Sequence, residues 1–324
     1  MEIISTTVTS AGVGSTQAVS LKVVTFKSNG LKIAGHLYLP VAGNPVNVLM
    51  PAIVVGHPGA GVKEQTAGLY AKQLAERGFI TLTFDAAYQG ESEGMPRGLE
   101  DPAQRVEDIK AAVSFLNTIA EVDPQNIGVL GICASGGYGV SATATDHRIK
   151  AVATVSGVDI GRLFSKGADG TQNPAIIQGM LDVAAADRSA QAKGQDAGVF
   201  PVFPANEEQA RSMGQHVYEG WEYYCTDRAQ HPRSAKVFTW NSIDRIAAFD
   251  AFRFADMIAP RPVLMIAGSE AATLWITKEG YENAKEPKEL FLMEGASHVA
   301  LYDQEVYVNP VISKLNDFFR SALV

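Results

Sequence analysis

The sequence predicts an α/β protein: a mostly parallel central sheet flanked by helices, with one large insertion. Three observations carry this reading. A hairpin opens the ordered part of the chain, strands and helices then alternate, and that rhythm breaks for about a hundred residues before it resumes.

The hairpin is read from the runs VSLKVVTFKS and LKIAGHLYLP, which begin at Val19 and flank Asn29-Gly30. Both turn residues tolerate positive φ, so Asn-Gly between alternating runs is a strong hairpin signal. Ala52–Val55 is a short apolar strand that ends in Gly56-His57-Pro58-Gly59-Ala60-Gly61. A helix is expected from about Glu64 to Arg77, with Ala67, Tyr70, Ala71 and Leu74 on one face and Gly78 as its stop. Phe79–Phe84 is the next strand. Asp101-Pro102-Ala103-Gln104 then reads as a helix start with a capping box, and Val106, Ile109, Val113 and Leu116 line the helix's inner face. Strands follow at Asn126–Leu130, Lys150–Val155, Pro262–Ala267 and Glu289–Met293, and a last helix at about Gln304–Leu323.

Between Val158 and Ala259 lie an Ala-rich helix candidate (Met180–Ala192), the run GVFPVFP and the aromatics Trp221, Tyr223 and Tyr224. A stretch this long is no ordinary connection. The expected organisation is a flexible tail over 1–18, a core formed by 19–160 and 260–324, and a cap over 161–259 inserted between the sixth and seventh core strands.

Composition excludes several classes. With 324 residues, 46% of them hydrophobic, the chain is long enough for a large core. A net charge of −8 argues against binding nucleic acid, which calls for a basic face. No apolar run reaches the roughly 18 residues of a membrane span. Two cysteines, Cys133 and Cys225, supply neither a disulfide scaffold nor a structural zinc site. The start, MEIISTTVTSAGVGSTQ, lacks the basic and apolar regions of a signal peptide, so the expected location is cytoplasmic.

Ile127 to Gly137 is the most informative segment. A strand runs into Gly131-Ile132-Cys133-Ala134-Ser135 and then into a helix-prone stretch. This is the context of a nucleophile elbow, in which a strained backbone tolerates only small residues two positions either side of the nucleophile. Gly131 and Ser135 occupy those positions around Cys133. Ser135 is the alternative nucleophile, but the strand register puts Cys133 at the apex. A thiol at a helix N-terminus gains from the unpaired N–H groups there.

With these motifs in place, the chain resembles the α/β-hydrolases, in particular the dienelactone-hydrolase-like branch that includes fungal polyketide transferases. The resemblance rests on His57-Pro58-Gly59, on Phe84-Asp85-Ala86-Ala87-Tyr88-Gln89-Gly90-Glu91-Ser92, on the elbow, on Pro260-Arg261-Pro262 and on Gly295-Ala296-Ser297-His298. It implies an α/β-hydrolase fold and a nucleophile–acid–histidine order along the chain.

His298 is the expected general base. The oxyanion donors are expected to be the N–H of Ala134 and, because Pro58 has none, that of Gly59 or Ala60. The acid is open. After PVLMIA the resembling family places an aspartate where this chain has Ala271 and Ala272, so Glu270, Asp159 or no carboxylate remain the alternatives. His36, His147, His216 and His231 lie in no motif. Trp221, Tyr223, Tyr224 and Trp275 are candidates for an acyl pocket, although core packing is the default for aromatics.

The expected function is that of a cysteine-nucleophile acyl-transfer enzyme. It would cleave an ester, lactone or thioester through an acyl-enzyme, as a hydrolase or an acyltransferase. It needs no metal or organic cofactor, acts on a small-molecule acyl substrate, and leaves self-association open. Two other readings stand beside it: a non-catalytic binding protein of the same fold, and a serine esterase using Ser135.

Overall fold

The computed structural model describes residues 4–8, 17–41 and 48–324. Three antiparallel strands open it: β1 (Ile4–Val8), β2 (Val19–Ser28) and β3 (Leu31–Pro40). Asn29 and Gly30 take φ of 46° and 83°, the left-handed pair a two-residue hairpin turn needs. Of the expected 1–18 tail, β1 pairs with β2, while residues 1–3 and 9–16 lie outside the described residues.

The alternation then runs β4 (Met50–Gly56), α1 (Thr66–Ala75), β5 (Ile80–Phe84), α2 (Pro102–Leu116), β6 (Val122–Ile132), α3 (Ala134–Thr145) and β7 (Ile149–Val155). An excursion holds α4 (Ile160–Lys166), α5 (Pro174–Gln191), β8 (Val199–Pro201), α6 (Glu207–Ser212), α7 (Gln215–Cys225), β9 (Val237–Thr239) and α8 (Ile243–Ala247). The chain returns through β10 (Val263–Gly268), α9 (Leu274–Asn283), β11 (Lys288–Met293), α10 (Ala300–Asp303) and α11 (Glu305–Leu323).

The main sheet has the order β1-β2-β3-β5-β4-β6-β7-β10-β11, parallel from β5 onward. Residues of its inner strands alternate between two cores, as a sheet buried on both faces requires. Val54, Val129, Val152 and Met265 pack with α2, α3 and α9; Ile53, Leu130, Ala153 and Ile266 pack with α1 and α11. Strand order reverses at β4, whose neighbours are β5 and β6. In open α/β sheets ligands bind outside the carboxyl ends of strands at such a point, and His57 and Cys133 follow β4 and β6 there.

Several local expectations are revised. The first helix starts at Thr66 rather than Glu64, because Lys63 and Glu64 form a turn tied into a buried ion cluster. Asp101 does cap α2, accepting from the N–H groups of Ala103 and Gln104, but Gln104 does not close a capping box. Its amide bonds Asn29, Ser28 and Asp108 instead and anchors the hairpin to α2. The Ala-rich helix of the excursion begins at Pro174 behind an Asn173 cap, a turn and a half ahead of Met180.

At the end of β6 the helix α3 is pressed against the neighbouring connections. A Cβ on Gly136 would stand 2.5 Å from the Cα of Gly157, and one on Gly131 would overlap the Ser135 carbonyl. Gly136→Ala should therefore lower unfolding free energy by about 2 kcal/mol or more, read from urea denaturation. An unchanged midpoint would refute this account of the packing.

Candidate active site

Cys133 is the residue between β6 and α3, with φ 54° and ψ −120°. Its N–H donates to Val155 O (3.0 Å), and its carbonyl accepts from the N–H of Gly136 (2.8 Å) and of Val158 (3.0 Å). Three backbone bonds thus hold a conformation that costs a non-glycine residue on the order of 1–3 kcal/mol. The thiol is partly accessible, and the N–H groups of Ala134 and Gly59 lie close enough to it to favour its ionised form.

The loop after β4 that carries Gly59 is braced from beneath. His57 Nδ1 donates to Pro58 O (2.7 Å), and its Nε2 accepts from Ala86 N–H (3.1 Å) and from Arg105 (3.0 Å). Arg105 also donates to His57 O (2.9 Å) and pairs with buried Glu100 (3.3 Å). Burial, followed by the charge of Arg105, holds His57 well below the usual histidine range, so it is neutral here. The loop's next residue, Ala60, faces the excursion: its carbonyl accepts from Ala235 N–H (3.0 Å).

His298 is buried between β11 and α10, its carbonyl accepting from Ser156 Oγ (2.9 Å). Its Nδ1 lies 2.6 Å from Thr273 Oγ1, and its Nε2 lies 3.0 Å from Tyr302 Oη. The Tyr302 hydroxyl also lies close enough to the Cys133 sulfur to favour its ionised form. The structure therefore aligns Thr273, His298 and Tyr302 in one hydrogen-bonded row that ends beside Cys133. No direct Cys133–His298 hydrogen bond occurs among the described residues.

The expected acids lie elsewhere. Glu270 is exposed, and among the described residues only its backbone N–H is engaged, donating to Ala296 O (3.0 Å). Asp159 is buried as the cap of α4, where it accepts from Arg162 N–H (2.9 Å) and Ala251 N–H (2.6 Å). Ser135 lies inside the first turn of α3, and its Oγ donates to His57 O (2.5 Å), away from His298. Sequence reasoning missed Thr273 and Tyr302. The one available signal was the four-residue spacing of His298 and Tyr302, which puts two side chains on the same side of a helical turn.

His216, which no motif singles out, stands on α7 with its ring perpendicular to that of His298 at 5.0 Å. Tyr223 packs edge-on against Tyr302 at 5.1 Å. Burial, with a smaller push from His216, holds His298 well below its usual range. Burial also raises the Cys133 thiol, against the lowering by Tyr302, Ala134, Gly59 and Arg105. The resting pair is thus a thiol and a neutral imidazole, not an ion pair.

A second cluster supports the loop after β5. Lys63 is fully buried with Nζ 2.8 Å from Asp85, 2.8 Å from Glu64 and 2.6 Å from Glu91. Asp85 also accepts from the N–H groups of Lys63 (2.9 Å) and Glu91 (2.8 Å).

The strand–turn–helix at Cys133, the loop after β4 and the histidine after the last strand all lie at the carboxyl edge of this sheet, and the fold is that of the α/β hydrolases. Residues 29–300 match the family model for X-Pro dipeptidyl-peptidase (S15 family), and the chain belongs to that family. The protein YcjY of Escherichia coli K12, itself uncharacterised, is 41% identical over 84% of this chain and 89% of its own. The crystal structure of the hypothetical protein PA2218 of Pseudomonas aeruginosa shares 36% identity, with a TM-score of 0.87 over 94% of both chains. That of the α/β hydrolase GrgF from Penicillium sp. sh18, 22% identical, has a TM-score of 0.78 over 93% of this chain and 98% of its own. Two fungal relatives carry functional names. The acyltransferase drtE of Aspergillus calidoustus is 25% identical over 83% of this chain and 86% of its own. The thiohydrolase apmlB of Arthrinium phaeospermum is 27% identical over 75% and 77%. The chain is an enzyme of the hydrolase or acyltransferase type. None of its helices, among the described residues, is long and apolar enough to cross a membrane.

Two measurements test this site. Because burial raises the Cys133 thiol, iodoacetamide should alkylate it slowly at pH 7. The rate should keep climbing through the ordinary thiol value of about 8.5, and a plateau already reached at neutral pH would contradict this. Lys63→Met should cost about 3 kcal/mol or more in urea denaturation, since it strands the buried Asp85 charge. Adding Asp85→Asn should recover part of that loss.

Proposed function

We propose that the protein is a cysteine-nucleophile acyl-transfer enzyme that cleaves an ester, lactone or thioester through an acyl-enzyme on Cys133. The observation that carries this reading is the hydrogen-bonded row of Tyr302, His298 and Thr273 beside the strained turn of Cys133, with the N–H groups of Gly59 and Ala134 near the thiol.

In the resting row the Cys133 S–H donates to Tyr302 Oη, the Tyr302 O–H donates to His298 Nε2, and His298 Nδ1–H donates to Thr273 Oγ1. Attack of sulfur on the carbonyl carbon forms the S–C bond. The thiol proton then passes to Tyr302 as the tyrosine's own proton passes to His298. The carbonyl oxygen becomes an oxyanion held by the N–H groups of Gly59 and Ala134, which already face the thiol. Collapse expels the leaving group, which takes a proton back along the same row. Water or an acceptor hydroxyl or amine then gives its proton through Tyr302 to His298 and attacks the thioester carbonyl; the C–S bond breaks, and the sulfur takes that proton back through Tyr302 to restore the Cys133 thiol.

Thr273 occupies His298 Nδ1, the nitrogen that the carboxylate of a triad would take. It bonds the imidazole without adding charge, which agrees with a histidine kept neutral by burial. The excursion between β7 and β10 is read as a cap, since α7 packs on His298 and Tyr302 and Ala235 bonds the oxyanion loop. The relatives named as a thiohydrolase and an acyltransferase support both fates of the acyl-enzyme. The motif set supports the dienelactone-hydrolase-like branch, and two free thiols without a disulfide accord with a cytoplasmic enzyme.

The test is brief exposure to a short p-nitrophenyl ester followed by peptide mass spectrometry. One acyl adduct should appear on Cys133 and vanish in Cys133→Ala. Acylation should slow by a factor of about 10² to 10⁴ in His298→Ala. Thr273→Val, which frees the tautomer, should slow it by about 10²-fold with unchanged far-ultraviolet circular dichroism. An adduct on Ser135, or none with nitrophenol released at the buffer rate, would overturn the reading.

A further inference from the structure

Two buried polar atoms beside the row have no partner among the described residues. They are Tyr224 Oη and His216 Nδ1, both carried by α7. Native proteins pair nearly all such groups, and an exception calls for a reason. Tyr224 is only 4% exposed, and its ring is wedged between Phe203 (stacked, 4.8 Å) and Tyr223 (edge-on, 4.8 Å). It cannot swing away to find water. Its neighbour Tyr223, by contrast, has a satisfied hydroxyl that accepts from Thr66 N–H at 3.0 Å.

Both groups lie near Cys133 and His298. Tyr224 belongs to the buried cluster against which Cys133 packs, and the two groups lie close enough for a Cys133 charge to oppose ionisation of the Tyr224 hydroxyl. His216 meets His298 ring to ring at 5.0 Å. One element thus brings a fixed O–H and an imidazole close to Cys133 and His298.

We propose that Tyr224 and His216 hold a neutral oxygen, a hydroxyl or keto group, borne by the acyl chain near the carbonyl that Cys133 attacks. This rests on the acyl-enzyme reading above. A plain alkyl chain would leave both atoms buried and unpaired. A carboxylate would set a second negative charge beside the forming oxyanion. The nearby cation Arg105 offers it no partner, being engaged by Glu100 and His57. A neutral oxygen accepts from Tyr224 and, as a hydroxyl, donates to or accepts from His216.

The probes are p-nitrophenyl 3-hydroxybutanoate and p-nitrophenyl butanoate, compared by kcat/KM, with the Cys133 adduct followed by mass spectrometry. Wild type should prefer the hydroxylated ester by about tenfold or more, the discrimination expected when buried hydrogen-bonding groups are left unmet. Tyr224→Phe keeps the ring and its packing, and should bring that ratio close to one. His216→Leu should lower it independently and serves as the readout should the tyrosine variant misfold. An unchanged ratio in both variants, with Cys133 still acylated, overturns this inference alone. Absence of any Cys133 adduct in wild type overturns the acyl-enzyme reading and this inference with it.

Discussion

The site depends first on one strained residue. Cys133 takes a left-handed φ at the junction of β6 and α3, and this turn aims the side chain out of the sheet edge toward the loops. The turn is affordable only because its surroundings are small. Gly131, Ser135 and Gly136 let the helix start directly over the strand, and Gly56 leaves room for Ser135. Everything else at the site takes its position from this packing. The N–H of Ala134 points back at sulfur, the Ser135 hydroxyl fastens the carbonyl of His57, and His57 with Arg105 fixes the loop that presents Gly59.

A second constraint is how charge is handled. The reacting row is made of groups that are neutral at rest: a thiol raised by burial, a phenol, an imidazole kept low by burial, and a threonine. A buried carboxylate beside His298 would favour a standing imidazolium, and the cost of desolvating it would fall on the resting enzyme. A thiol is easier to ionise than a serine hydroxyl, so a cysteine nucleophile can manage with a partner that only orients the base. The formal charges are kept one layer away. Lys63 with its three carboxylates holds the loop after β5, and Arg105 with Glu100 holds the loop after β4. Both are framework ions whose partners are within the protein.

The fold was largely legible because its signals are local. Asn29-Gly30 specifies a hairpin by backbone conformation alone, the apolar runs at Ala52–Val55 and Lys150–Val155 specify buried strands, and the residues around Cys133 are small for a steric reason that any sequence displays. What escaped was set by tertiary context. Gln104 stands at a capping-box position, but the hairpin lies within its reach and takes its amide. Glu270 has the chemistry of a triad acid, yet the turn after β10 leaves it exposed, and the neighbour of His298 is Thr273 at the start of α9. A threonine carries no charge and has many structural uses, so its identity alone could not mark it. Tyr302 was hidden in the same way, because its hydroxyl acquires meaning only when α10 sets it between sulfur and imidazole.

The excursion shows why chemistry and selectivity were not equally readable. Cys133, His298, Gly59 and Ala134 all come from loops at the ends of sheet strands, where the fold itself dictates position. The groups that would distinguish one acyl chain from another come from α7, whose place over the site is set by contacts scattered along the core. Tyr223 receives Thr66 N–H, the Gln65 amide donates to Ala229 O, and Arg228 bonds Asp303. None of these pairs is close in sequence. A chain can therefore keep the elbow and the histidine while an altered α7 presents a different face to the substrate. Relatives that differ in the excursion would then share the acyl-transfer step and differ in the acyl group they accept.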